Sequence, residues 1–171
     1  MLSSTSGVIN YVLVELKLVS EPVNFLGSMD LAMGTIIMIN VWKWFPFASV
    51  IFLAVLQGIS SDVYEAARID GCNKFKEFLY IIIPALKGPI GINALLMTFC
   101  NFNTYGLIWL LTAGGPGNAT TTLPILVYKI AFKSFRMGAA AALSIIMFAI
   151  LMIFTMIYRK YVKDSNTAAG V

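Results

Sequence analysis

Histidine is absent from the 171 residues and cysteine occurs twice. Without imidazole, His-based proton transfer and metal ligation have no side chain to run on, and no zinc-ligand spacing is present. Cys72 falls in a polar loop and Cys100 inside an apolar run, so no disulfide is expected, and neither thiol neighbours an activating group. Charge is also scarce: charged residues make up 12%, against about a quarter in ordinary soluble domains. No basic run carries interleaved aromatics, which excludes a nucleic-acid interface. No Gly-x4-Gly-Lys-Ser/Thr occurs, so the chain supplies no phosphate-binding loop, no cofactor is implied, and the reading is not that of an enzyme. The initial Met1-Leu2-Ser3-Ser4 lacks the basic region and apolar core of a signal peptide, and membrane insertion is expected to rely on the apolar segments themselves.

Those segments dominate the chain. Apolar residues reach 59% and gather in three runs, 31–59, 88–113 and 137–158, whose only charge is Lys43. Each exceeds the roughly 20 residues that a helix needs to cross a hydrocarbon layer about 30 Å thick. The expected fold is therefore an all-α membrane protein with three transmembrane helices. Seven of the twelve basic residues lie in two segments: Arg68, Lys74, Lys76 and Lys87 in the 60–87 loop, and Arg159, Lys160 and Lys163 in the tail. Lys17, Lys129, Lys133 and Arg136 lie on the other side. This asymmetry predicts a cytoplasmic 60–87 loop and C-terminus.

Before the first span, 7–19 is apolar but broken by Glu15 and Lys17, and reads as an outer-surface amphipathic helix followed by turns at Glu21-Pro22 and Gly27-Ser28. Pro46 is expected to kink the first span. The second carries Asn93, Thr98, Asn101, Asn103 and Thr104, amides and hydroxyls that would be costly against lipid. The third opens on Gly138 and Ala139 to Ala142, a small-residue face permitting close helix contact.

In the 60–87 loop, Ser60-Ser61-Asp62 offers helix caps, and Asp62 with Glu65 has capping-box spacing, which predicts a helix from about Val63 to Gly71, where a left-handed residue should end it. A second helix then places Phe75, Phe78, Leu79 and Ile82 on one stripe, with Pro84 ending or bending it. Two short helices should thus meet at a glycine turn.

Glu65-Ala66-Ala67-Arg68-Ile69-Asp70-Gly71, followed after nine residues by Ile81-Ile82-Ile83-Pro84, resembles the EAA loop of permease subunits in binding-protein-dependent ATP-binding cassette importers. Leu111-Thr112-Ala113-Gly114-Gly115-Pro116, Ala131-Phe132 with Gly138-Ala139-Ala140-Ala141, and upstream Asn40-Val41-Trp42 and Pro46-Phe47 are similar to the sugar branch of that family, which serves maltose, glycerol-phosphate and multiple-sugar uptake. Ile83 in place of Leu and Cys72 in place of Ala are small departures. The resemblance runs from about residue 7 to 163. Family permeases have six or more membrane helices, so residues 1–171 are expected to form a truncated permease domain, the C-terminal half of a six-helix core.

The resemblance implies a bacterial-type, multi-pass plasma-membrane permease that translocates a sugar or sugar-like solute. Its partners would be ATPase subunits, a second permease subunit and an extracytoplasmic solute-binding protein, within membrane lipid. By the same resemblance Glu65, Ala66, Ala67, Asp70 and Gly71 couple to the ATPase, with Glu65 meeting a basic group and the alanines allowing close approach. Asn40, Lys43, Trp44 and Phe47 on the first span, and Cys100, Asn101 and Thr104 on the second, would line the substrate path. Asn101 and Thr104 are expected on one helix face, where amide and hydroxyl meet sugar hydroxyls while aromatic rings stack on the sugar. Against this, Asn and Thr also glue helices, and Trp42 and Trp44 with Lys43 also suit an interfacial belt.

Lys129, Lys133 and Arg136 form one helical stripe beside Tyr128, Phe132 and Phe135, either an outer docking area or a membrane-surface helix. Asn118-Ala119-Thr120 is read as a chance glycosylation sequon. The alternatives to the importer are a membrane-inserted remnant of such a permease and a secondary transporter; no Asp or Glu lies in any span, which argues against proton coupling.

Overall fold

A computed structural model describes residues 7–168, with side chains through Arg159. The Met1–Ser4 stretch lies outside the described residues, and the tail charges of Lys160 and Lys163 outside the described side chains. The chain is all-helical, with no strand among the described residues. Among the described residues, three helices are long and apolar enough to cross a membrane: Met29–Gln57, Lys74–Phe102 and Met137–Arg159. The first is α2; at about 1.5 Å per residue, 29 residues give about 43 Å. It continues through Pro46 as a single helix, and the Ser49 hydroxyl donates to the Phe45 carbonyl at 2.8 Å.

The second span departs from the hydropathy pattern. It begins at Lys74, with α4 (Lys74–Glu77), passes through a π-helical segment Phe78–Ile82 and continues as α5 (Ile83–Phe102). Pro84 therefore does not end the helix. A proline brings a missing N–H and a bulky ring, and the wider π turn just before it gives both the room they need. The helix stops at Phe102 instead of running on to residue 113. Asn101, Asn103 and Thr104 cluster there, and such side chains compete with the helical ladder for backbone partners. A separate α6 (Gly106–Thr112) follows the break.

Compactness divides the chain in two, 1–43 with 103–147 and 44–102 with 148–171. In the first unit, α1 (Val8–Glu15) is shorter than the apolar stretch 7–19, because Lys17 turns left-handed at φ 54°. Asn10, 3% exposed, then fastens the turn ahead of α2, its side chain donating to the Val23 carbonyl and accepting from the Val23 N–H, both at 2.9 Å. Ile36 of α2, Ile108 of α6 and Ile125 of α7 (Leu123–Tyr128) form the core, with Leu26, Tyr105, Trp109 and Leu111 against it. A π-helical segment Lys129–Lys133 extends α7, and α8 (Met137–Ala168) follows.

In the second unit, the Tyr158 hydroxyl of α8 donates to the Gly91 carbonyl of α5 at 2.7 Å. That bond joins positions 67 apart in sequence and satisfies a phenol that would be costly in hydrocarbon.

Candidate functional site

The hairpin between the first two spans is built by caps. Helix α3 (Ser61–Ile69) starts at Ser60, whose hydroxyl accepts from the Asp62 N–H at 3.3 Å. The N-cap is thus Ser60 and not the Asp62 that the capping-box spacing suggested; Ser60 stands outside the helical φ/ψ region, as a cap requires. At the other end the Gly71 N–H donates to the Arg68 carbonyl at 3.1 Å and the Cys72 N–H to the Ala67 carbonyl at 2.9 Å. With Gly71 at φ 74°, these two bonds close a Schellman motif, the left-handed turn the sequence called for. Asn73 then caps α4, its side chain accepting from the Lys76 N–H at 2.9 Å.

Arg68 and Glu77 meet across the turn at 3.9 Å. Glu65, Ala66 and Asp70 are exposed, Ala67 is half-buried, and Ile69 stands 87% exposed, as does much of Phe75. The helix–turn–helix thus carries small residues, carboxylates and bare apolar side chains close together on its surface.

On α2, Asn40, Lys43, Trp44 and Phe47 fall at i, i+3, i+4 and i+7 of one uninterrupted helix, so they share a face. Trp44 and Phe47 pack edge to face, with centroids 6.0 Å apart. Cys100 and Asn101 occupy the last turn of α5, and the Asn101 amide donates to the Met97 carbonyl at 2.7 Å. Thr104 lies beyond the helix end, so the expected Asn101–Thr104 helix face does not form. No disulfide links Cys72 to Cys100.

The loop joining α6 to α7 carries the structure that sequence reasoning missed. Thr120, fully buried, donates to the Gly115 carbonyl at 2.6 Å and lies 2.7 Å from the Thr112 hydroxyl. The Thr120 hydrogen is committed to Gly115, and the single hydrogen of Thr112 is shared between Thr120 and the Ile108 carbonyl 3.1 Å away, so the two hydroxyls tie the loop back to α6. The Lys129 ammonium donates to Asn118 Oδ1 and to Thr121 Oγ1, each at 3.0 Å, while Thr121 reaches the Gly114 carbonyl at 2.9 Å. Gly114 has φ 89°, and a Cβ there would stand 2.7 Å from the Thr121 hydroxyl and 2.9 Å from Ile125. The Gly-Gly-Pro motif is therefore a tightly filled turn.

Lys129 is turned into this loop and Lys133 lies over the Trp109 ring at 5.4 Å. Tyr105, Trp109, Tyr128 and Phe132 form a continuous aromatic cluster beside it, with Tyr105 stacked on Trp109 and the other ring pairs tilted. The basic stripe 129–133–136 does not form, because the helix ends at Lys133, before Arg136, and Lys129 is drawn onto Asn118 and Thr121. The Asn118 side chain is held by Lys129, which gives the sequon a structural use.

Comparison with known proteins gives a consistent result. Residues 6–165 match the model of the binding-protein-dependent transport system inner membrane component family. A probable ABC transporter permease protein of Brucella suis biovar 1 is 38% identical over 157 residues, 92% of this chain and 54% of that protein. The trehalose/maltose transport system permease protein MalF of Thermococcus litoralis is 36% identical over 160 residues, 94% of this chain and 53% of that protein. The chain thus spans about half the length of the curated relatives it matches. A bacterial alginate ABC transporter, solved in complex with an alginate pentasaccharide-bound periplasmic protein, shares the fold at a TM-score of 0.80 and 23% identity, covering 92% of this chain and 54% of that one.

Proposed function

We infer the function from one premise: the chain belongs to the family of binding-protein-dependent transport system inner membrane components, which are membrane permeases and not enzymes. On that premise the protein forms part of the translocation path of an ATP-driven importer in the plasma membrane, carrying a sugar or sugar-like solute. Separate ATPase subunits, a second permease subunit and an extracytoplasmic solute-binding protein complete the machine. The observation that carries the reading is the hairpin, a Schellman-closed turn at Gly71 displaying Glu65, Ala66 and Ala67 between two membrane-length helices.

In this reading Glu65 pairs with a cation on the ATPase, Ala66 and Ala67 admit its surface closely, and Asp70 and Gly71 set the angle at which the second helix leaves. ATP-driven movement of the hairpin then passes into α2 and into the Lys74–Phe102 helix, because the turn that joins them is held by backbone bonds. The α2 face with Asn40, Lys43, Trp44 and Phe47, together with Cys100, Asn101 and Thr104, lines the substrate path. Aromatic rings stack on sugar faces and amides meet hydroxyls there.

The decisive experiment is capture of the ATPase of the same transport system by this chain in bilayer discs. Binding that disappears in Gly71→Val and weakens in Glu65→Lys supports coupling. Undiminished binding by Gly71→Val, with the variant inserted and helical, rejects it. Lys43→Gln in the assembled importer tests the path: uptake of an acidic sugar should fall while that of a neutral sugar is spared, and equal uptake of both removes Lys43 from it.

A further inference from the structure

The turn that leads into α8 holds a residue disfavoured on two counts. Phe135 has φ 53°, a left-handed conformation that a residue with a side chain adopts only at a cost, and it stands 82% exposed. Glycine would avoid both. The turn is nevertheless well built: the Ser134 N–H donates to the Lys129 carbonyl and the Arg136 N–H to the Ile130 carbonyl, each at 3.0 Å, closing a ring around Phe135. The residues just upstream are fixed as well, Phe132 against Tyr128 with centroids 5.1 Å apart and Lys133 over Trp109. A held backbone therefore projects the Phe135 ring outward, and α8 begins two residues later at Met137.

The chemistry around it is one-sided. No Asp or Glu occurs from residue 78 to residue 163, while Lys133 and Arg136 flank Phe135 and are both exposed. An exposed aromatic ring between two cations, in a stretch of chain without carboxylates and at the start of a membrane-length helix, matches the boundary layer of a phospholipid bilayer. There the ring lies at the level of the acyl ester groups and the cations meet headgroup phosphates. A protein partner would also cover the ring, but the lack of acid along this stretch of chain and the two-residue distance to α8 favour lipid.

We propose that the Ser134–Phe135–Arg136 turn is a lipid anchor that fixes the depth at which α8 enters the bilayer, with Phe135 as the wedge and Lys133 and Arg136 as phosphate contacts. The proposal depends on the chain crossing a bilayer and not on what it transports, so its failure would leave the importer reading intact. The test places the photoreactive p-benzoylphenylalanine at position 135 of the 171-residue chain in phosphatidylglycerol vesicles. Irradiation should yield chain–lipid adducts at a level comparable to the same probe at Ile146, exposed along α8, and well above the probe at Ile69. No lipid adduct at 135, or chain–chain products alone, overturns the proposal. Hydrogen exchange of Phe135→Gly gives a second reading of opposite sign. Glycine relieves the left-handed strain, so a turn that only links two helices would exchange more slowly at residues 134–137. A lost anchor makes those amides exchange several-fold faster, and slower or unchanged exchange also overturns the proposal.

Discussion

The hairpin at 60–77 and the loop at 112–129 both turn on a glycine of positive φ, and they are held in different ways. Gly71, at φ 74°, has no atom within 4 Å of where a Cβ would stand, and its turn is fastened by backbone bonds to Ala67 and Arg68. Gly114, at φ 89°, is walled in by Lys129, Thr121 and Ile125. The hairpin is thus a turn with open space at its glycine. The loop is a turn packed from within, suited to hold a fixed shape. One glycine serves conformation only, the other conformation and space.

The sharpest way to break that contrast is to add one methyl group to each. Gly114→Ala incurs left-handed strain of about 1–2 kcal/mol together with overpacking of about 1–3 kcal/mol against Thr121 and the fully buried Ile125. We expect a loss of about 2–5 kcal/mol, read as a lowered thermal midpoint in a lipid bilayer and as faster exchange of the 112–122 amides. A neutral Gly114→Ala would mean that the loop yields, and the distinction between the two turns would fall.

Thr120→Val probes the same loop without strain. The shape is nearly kept, but the Gly115 carbonyl loses its donor, while Thr112 keeps the Ile108 carbonyl as an acceptor. Leaving such a group unsatisfied costs about 1–3 kcal/mol. The change should appear as faster exchange at 112–122 with the hairpin amides untouched, and equal exchange in variant and parent would show that Thr120 only fills space.

Gly71→Ala is the matching change in the hairpin. With open space around the site, only the conformational cost of about 1 kcal/mol should appear. Exchange of the Gly71 and Cys72 amides should rise about fivefold, while the thermal midpoint barely moves. A loss as large as that of Gly114→Ala would mean that the hairpin tip is packed against something.

The same contrast explains what could be read in the sequence. The hairpin's turn was legible because its bonds join residues five or fewer apart, so Gly71 announced itself by position. Its start was misplaced by two residues because Ser60 and Asp62 are both competent caps and only the backbone chooses between them. Three membrane-length helices were legible from apolar length. Where the second begins and ends was not, since the Phe75–Ile82 stripe reads equally as a surface helix, and the π turn before Pro84 leaves no mark in the residue pattern. The loop at 112–129 was illegible for a related reason. Its threonines and lysine bond across 5 to 11 residues, and Lys129 looks like any surface cation until its partners are placed. The substrate-path residues stand between these cases: their helix faces follow from spacing on α2, and the failure of Thr104 to join Asn101 follows from a helix end that propensity did not locate.

The smallest effect belongs to the ion pair within the hairpin. Arg68 and Glu77 approach at 3.9 Å, at the long end of such contacts, with side chains 67% and 13% exposed. An arginine that open to water is strongly screened, so the pair should contribute about 0.5 kcal/mol and should fade as ionic strength rises past physiological values, where the screening length is about 8 Å. A double-mutant cycle of Arg68→Met and Glu77→Gln, read from exchange of the Cys72 amide at low and high salt, measures that coupling directly. If the hairpin is held by its caps, the coupling stays near 0.5 kcal/mol at low salt and approaches zero at high salt. A coupling of about 2 kcal/mol that persists in high salt would place the ion pair on a par with the threonine chain of the loop, and the two turns would then be held alike, by side chains reaching across the fold.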